Sequence, residues 1–249
     1  IQGAVDIQPA DIIGVRTYDR NTNKFDFAPG PIFSNVFLAD EINRMTPKAQ
    51  GSLLESLAER QVTLDNITYP LPSPFMVVAT QNPFEMEGTF QLIESQKDRF
   101  TFCVILSQLS SDDEAEILSR EMNKQLDLEK IIEADKPLIT LEDVKRMQET
   151  ARNVYASPDI LAYIADIVTA TRKHDDIKLG ISTRGSLALL RGVQSYAAIQ
   201  GRSYVIPDDV KYIVPFAFSH RLILKREAQL GGSTVSKVIS GILNTIPVR

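Results

Sequence analysis

The sequence predicts an α/β core built on parallel strands, followed by an all-helical part that begins near Ser110. Three observations carry this reading. Two apolar runs, Val36-Phe37-Leu38-Ala39 and Phe75–Ala79, have the length and continuity of strands buried on both faces of a parallel sheet. Each ends in polar residues, Asp40-Glu41 in the first case and Thr80-Gln81-Asn82 in the second. Ligands of open parallel sheets bind at such carboxyl ends. After Leu109 the texture changes, and helix starts recur to the end of the chain.

Taken in order, "TYDRNTNKFDF" (Thr17 to Phe27) reads as two strands around Asn21-Thr22-Asn23, a hairpin. "GPIFSNVFLA" leads into the first buried strand. "TPKAQGSLLESLAERQ" is a helix with Thr46 as N-cap, Pro47 in its first turn and Leu53, Leu54 and Leu57 on one side. "VTLDNITYPL" turns at Asp65-Asn66 as a second hairpin. Phe75–Ala79 is the second buried strand, and "DRFTFCVIL" reads as a third. "SSDDEAEILSREM" opens the helical part, and helices are expected over Leu141–Val154, Pro158–Arg172, Thr183–Gln200, Pro207–Phe218 and Val235–Ile246.

Composition narrows the function. The 249 residues, 43% hydrophobic and 24% charged, suit a soluble globular protein of one large or two small domains. No apolar run approaches the roughly 20 residues that cross a bilayer, and the start "IQGAVDIQPAD" shows no signal peptide. The lone Cys103, read as a small apolar residue inside the third strand, leaves no internal disulfide and fits a reducing cytoplasm. With His174 and His220 it cannot form an ordinary structural zinc site, and both histidines read as solvated or locally hydrogen-bonded. "RKHDDIK" reads as a solvated loop between helices, and Phe84 and Met86 as packing residues. A net charge of −5 argues against a nucleic-acid binder.

A strand ending in Asp-Glu has a specific meaning in nucleotide hydrolases: Asp40 would hold Mg²⁺ through water, and Glu41 would orient and deprotonate the attacking water. A turn directly after the strand lets both carboxylates reach one site. On spacing alone the pair is equally compatible with capping that turn. Asn82 can hold a water or donate to a phosphate, or simply start a turn before Pro83. Arg99 can reach a nucleotide on a neighbouring subunit, or form a surface ion pair with Asp98 of little worth.

The order of motifs is more specific than any one of them. "FLADEINR", "ERQVT", "ATQNP", "EGT" and "DRF", in this order and spacing, closely resemble the MoxR family of AAA+ ATPases. The resemblance runs over the whole chain and is densest between Gly30 and Phe100. It implies an AAA+ P-loop-type parallel-sheet core over residues 1–109 and a helical lid over 110–249. The Asp11–Phe27 hairpin would be an insert of the core, and Gln61–Leu71 a hairpin before the sensor strand. By the same resemblance, Asp40 and Glu41 look like the Walker B pair, Asn82 like sensor 1 and Arg99 like the arginine finger. "GISTRGSLALLR" is similar to the sensor 2 segment, with Arg184 as the phosphate-sensing arginine and Arg191, two turns on, as the runner-up. Arg44 is expected to contact an adjacent subunit. The resemblance further implies ATP and Mg²⁺, a ring, most simply a hexamer, and chaperone-like maturation of partner proteins such as those with von Willebrand factor A domains.

The chain departs from the family pattern in places. None of the twelve glycines is followed by lysine, so the phosphate loop G-x-x-x-x-G-K-[ST] is absent. In the family that loop lies upstream of the segment where this sequence starts. A piece of a longer ATPase and a degenerate relative are the two explanations, and the presence of Asp40, Glu41, Asn82, Arg99 and Arg184 favours the piece. The chain by itself is not expected to bind ATP tightly. Ile93 stands where proline is expected, and Lys97 where an apolar residue is expected. Two other classes compete: a nucleic-acid motor of the same wider clade, and a non-catalytic interaction module.

Overall fold

A computed structural model describes residues 1–21, 23–82, 88–123, 125 and 137–248. Thr22 of the first turn, Glu87 of "EGT", and Phe84 and Met86 lie outside the described residues.

A short helix α1 (Pro9–Ile13) enters the first hairpin, β1 (Gly14–Asp19) with β2 (Lys24–Pro29). Asp11 to Ile13 therefore belong to a helix rather than to the hairpin insert. Strand β3 (Val36–Ala39) leads through a 3-10 turn (Ile42–Arg44) to α2 (Pro47–Glu59). The second hairpin follows as β4 (Gln61–Leu64) and β5 (Ile67–Pro70), then β6 (Met76–Ala79). Its turn residues Asp65 and Asn66 take φ of 48° and 64°, the left-handed backbone that Asp and Asn tolerate best. Helix α2 begins as expected, with Thr46 Oγ1 accepting the Ala49 amide at 3.3 Å.

Strands β3 and β6 pair in parallel with Ala39 opposite Ala79, so the two polar ends stand side by side. Residues 1–3 extend this sheet on the other edge of β3. Gln2 bridges Asp40 in parallel, and the Gly3 amide donates to the Asp40 carbonyl at 2.7 Å.

Burial of β3 on both faces is not what the structure has. Phe37 and Ala39 are buried with Ile12, Ile42, Leu53 and Leu54 in the first hydrophobic cluster. Val36 and Leu38, on the opposite face, are 63% and 49% exposed. Alternation along a strand sends neighbours to opposite faces, and the first cluster lies on one of them.

The expected third strand is also absent. Residues 101–110 carry no strand, and Val104, Ile105 and Leu106 are exposed. An apolar run becomes a strand only where another strand's backbone accepts its hydrogen bonds. Here the segment turns to the helical part instead. The Cys103 amide donates to the Phe216 carbonyl at 2.9 Å, so Cys103 is half-buried in an extended connection rather than inside a sheet. The ring of Phe102 fills the space at Gly192, where a Cβ would come within 2.6 Å of it.

A single short turn of helix, α3 (Glu94–Lys97), ends the core; the helical part then comprises α4 (Ser111–Met122), α5 (Leu141–Arg152), α6 (Pro158–Lys173), α7 (Thr183–Ile199), α8 (Pro207–Phe218), α9 (Arg226–Leu230) and α10 (Val235–Thr245). Ser110, Thr140, Ser157, Ser182 and Thr234 cap their helices through side-chain oxygens. A second hydrophobic cluster, including Tyr163, Ile167, Leu189, Val193, Val214, Phe218 and Ile239, binds α6, α7, α8 and α10 together. One small antiparallel pair interrupts the helices, β7 (Ile177–Leu179) with β8 (Ile223–Leu224). It takes Ile177 of "RKHDDIK" out of solvent, so that stretch is not wholly a solvated loop. No helix of the described residues is long and apolar enough to cross a membrane.

Candidate functional site

The chain reverses sharply at the end of β3. Glu41 adopts φ 49° and ψ 50°, and this left-handed residue turns the backbone into the 3-10 helix so that Asp40 and Glu41 both stay at the sheet end. Such a conformation costs a non-glycine residue on the order of 1 kcal/mol and persists only when its surroundings hold it. Here they do. The Glu41 amide donates to Thr80 Oγ1 at 2.8 Å, and the Ile42 amide to the Thr80 carbonyl at 3.0 Å. On the other side Gly3 leaves no room, since a Cβ there would lie 2.1 Å from the Glu41 carbonyl oxygen.

Thr80 ties the two strands together. Its hydroxyl donates to Asp40 Oδ1 at 2.5 Å while accepting the Glu41 amide. The Glu41 carboxylate accepts from Gln2 Nε2 at 2.8 Å and from Arg44 Nη1 at 3.1 Å. Arg44 is thus a partner of Glu41 within the chain. Asn82 stands two residues beyond Thr80, and its carbonyl lies 3.5 Å from Asn43 Nδ2. Gln50, 1% exposed, donates to the carbonyls of Ile42 and Phe90 and so fastens the segment after Gly88 beneath the same turn.

A second cluster forms where the core meets the helical part. The Asp98 carboxylate accepts Arg221 Nε at 2.9 Å and Arg184 Nη1 at 3.3 Å, and the Ser182 hydroxyl lies 3.0 Å from both of its oxygens. Ser182 is the N-cap of α7, so the carboxylate also sits at the positive end of a 17-residue helix. Arg221 is only 2% exposed, whereas Arg184 is 55% exposed. Burial draws the Arg221 pKa below its usual value, and the hydrogen bond and charge of Asp98 oppose that shift.

Next to it, His220 Nε2 bonds the Phe100 carbonyl at 3.0 Å. Burial first, and the neighbouring Arg221 charge second, push the His220 pKa down to about 4. His220 is therefore neither solvated nor locally bonded, because its partner is 120 residues away. His174 does bond locally, accepting the Asp176 amide at 3.1 Å.

The structure brings Asp40 and Glu41 together through Thr80, with Asn82 on the same strand extension. It brings Arg184 to Asp98, the residue before Arg99. The expected Asp98–Arg99 surface pair is replaced: Asp98 is taken by Arg184 and Arg221, and Arg99 Nη1 donates to the Leu54 carbonyl at 2.8 Å. Arg191 is exposed further along α7. Sequence reading missed Thr80, Gly3 and Arg221. Thr80 stood inside the quoted "ATQNP", and a hydroxyl beside the strand end was the available signal; Gly3 and Arg221 had none.

Two adjacent carboxylates and a hydroxyl form a hard-oxygen donor set, which fits Mg²⁺ held by one or two carboxylates together with substrate phosphates. Among the described residues no group of three or more His, Cys, Asp or Glu could hold a metal ion on its own.

This is the strand-end architecture of an AAA+ nucleotide-hydrolase core joined to a helical lid. Residues 1–102 match the ATPase family associated with various cellular activities (AAA), and residues 169–242 match the AAA lid domain. YeaC of Bacillus subtilis (strain 168) is 42% identical over 248 residues, which span 100% of this chain and 76% of YeaC. Chaperone MoxR1 of Mycobacterium tuberculosis is 38% identical over 255 residues, covering 99% of this chain and 66% of MoxR1. A solved structure from Cytophaga hutchinsonii superposes with a TM-score of 0.89 at 35% identity, covering 100% of this chain and 77% of that one. The chain belongs to the MoxR family of AAA+ ATPases.

Proposed function

We propose that the full-length protein hydrolyses ATP at an interface between subunits of a cytoplasmic ring, most simply a hexamer, and uses the cycle to remodel or mature partner proteins. The observation that carries the reading is the Thr80 bridge, which fixes Asp40 and the Glu41 turn side by side at the end of a parallel sheet. The name of the relative chaperone MoxR1 supports the remodelling role. Proteins with von Willebrand factor A domains are the partners the family resemblance suggests. The proposed division places the ATPase core in residues 1–109 and the lid in 110–249.

In this mechanism Asp40 would hold Mg²⁺. Bound Mg²⁺ supplies neutralisation of the phosphate charges. Glu41 accepts the proton of the attacking water, and its bonds to Gln2 and Arg44 keep it a fixed acceptor until nucleotide arrives. Asn82 holds that water in line. Arg99, presented to the neighbouring subunit's nucleotide, leaves the Leu54 carbonyl and stabilises the charge that builds on the transferred phosphoryl group. Arg184 senses the γ-phosphate, in its own subunit or across the interface; its contact with Asp98, the residue before Arg99, places it beside the finger segment.

ATPase assay of the full-length protein tests the reading, with Glu41→Gln as control. Turnover should fall by about 10²-fold or more in the variant while ATP binding persists. Equal turnover by both proteins would end the proposal.

A further inference from the structure

We propose that Arg221 is a positioning residue for ATP hydrolysis: it grips the backbone on both sides of Arg99, so that the helical part sets where the finger points. The inference rests on the reading of Arg99 given above.

Arg221 spends its guanidinium on the finger segment. Its Nε donates to the Asp98 carboxylate at 2.9 Å, Nη2 to the carbonyls of Asp98 and Phe100, and Nη1 to the Thr101 carbonyl at 3.1 Å. The residues held are the two neighbours of Arg99 and the one after them. The remaining contact, Nη1 to the Ala217 carbonyl, anchors the guanidinium to the last turn of α8. His220 adds a bond to the same Phe100 carbonyl.

With the flanking carbonyls fixed, the Arg99 side chain has a defined origin, and it reaches the Leu54 carbonyl of α2. The start of α7 is built into the arrangement. A Cβ at Gly185 would come within 2.6 Å of Ile181 Cγ2 and 3.1 Å of Arg221 Cδ, so the helix that bears Arg184 rests on the Arg221 stem. A buried ion pair that served only stability needs one anion, and Asp98 would suffice. The added grip on three main-chain carbonyls is what a clamp requires, and it exploits the planar fork that lysine lacks.

The experiment uses the full-length protein with Arg221→Lys, Asp98→Asn, Arg99→Ala and Glu41→Gln. Arg221→Lys should lower kcat at least about tenfold with KM for ATP within about threefold, the pattern of a lost transition-state contact. Combined with Arg99→Ala it should add no further loss, because both changes disable one group. Mixing Arg221→Lys subunits with Glu41→Gln subunits should restore turnover, because the latter lend an intact finger to the former's intact Glu41. A merely structural role would not give that rescue.

Absence of recovery on mixing, or losses that multiply in the double variant, overturns the positioning role. Asp98→Asn keeps the side-chain shape and should show the same rescue on mixing even if Arg221→Lys folds poorly; its failure to do so overturns the proposal as well. If Arg99→Ala leaves kcat intact, the finger reading falls and this proposal falls with it. If Arg99→Ala lowers kcat and Arg221→Lys does not, only the positioning role is lost.

Discussion

The Thr80 hydroxyl donates to Asp40 Oδ1 across the parallel strand pair and, with the same oxygen, accepts the amide of Glu41. One side chain on β6's extension therefore fixes the rotamer of the first carboxylate and the backbone turn that presents the second. Thr80→Val keeps the shape and removes both bonds. It should cost about 1–2 kcal/mol of stability and lower turnover about tenfold, with Thr80→Ser close to wild type. Denaturant melts together with steady-state ATPase assays check both parts.

Gly3 is required for a steric reason rather than a conformational one. A methyl group there meets the Glu41 carbonyl at 2.1 Å, and backbone cannot yield as a flexible side chain can. Gly3→Ala should destabilise by at least about 2 kcal/mol and disturb the Asp40–Glu41 turn. Thermal unfolding measures the first effect and nucleotide hydrolysis the second.

His220 makes stability depend on pH in a defined window. Its folded pKa, about 4, lies below the ordinary 6.5, so between those values the unfolded chain binds the extra proton. Stability from this residue is complete above about pH 6.5 and is lost as pH falls toward 4, by on the order of 3 kcal/mol. The difference in unfolding free energy between wild type and His220→Asn, followed from pH 7 to pH 4, should shrink steadily. A constant difference would exclude the buried neutral imidazole as its source.

In the lid, Arg202 and Asp209 form a two-pronged pair, with Nη1–Oδ2 at 2.8 Å and Nη2–Oδ1 at 2.5 Å. Asp209 is 2% exposed and Arg202 23%. Removing the arginine strands a buried carboxylate, whereas removing the aspartate leaves a cation able to reach water. Arg202→Ala should cost about 3 kcal/mol and Asp209→Ala less, as read by urea unfolding.

Features set by neighbours along the chain are legible in the residues alone. Thr46-Pro47 starts a helix because a hydroxyl and a fixed φ act within one turn, and Asp65-Asn66 closes a hairpin because two residues tolerate a left-handed backbone. The Asp40-Glu41 pair is visible in the same way, and the order of motifs around it points to the family. The third strand shows where such reading stops: Phe102–Leu106 has strand composition, but strand formation needs a partner that no local signal specifies.

What only the tertiary structure decided was which distant groups meet. Residue 221 reaches residue 98 across 123 positions, and Thr80 reaches Asp40 across 40. The sequence by itself determined the chemical groups, the local turns and the helix starts, because those depend on sterics and hydrogen bonds within a few residues. The fold determined the bridge at the strand end and the grip on the Arg99 segment, because a hydrogen bond forms only where packing of the whole chain brings donor and acceptor to about 3 Å.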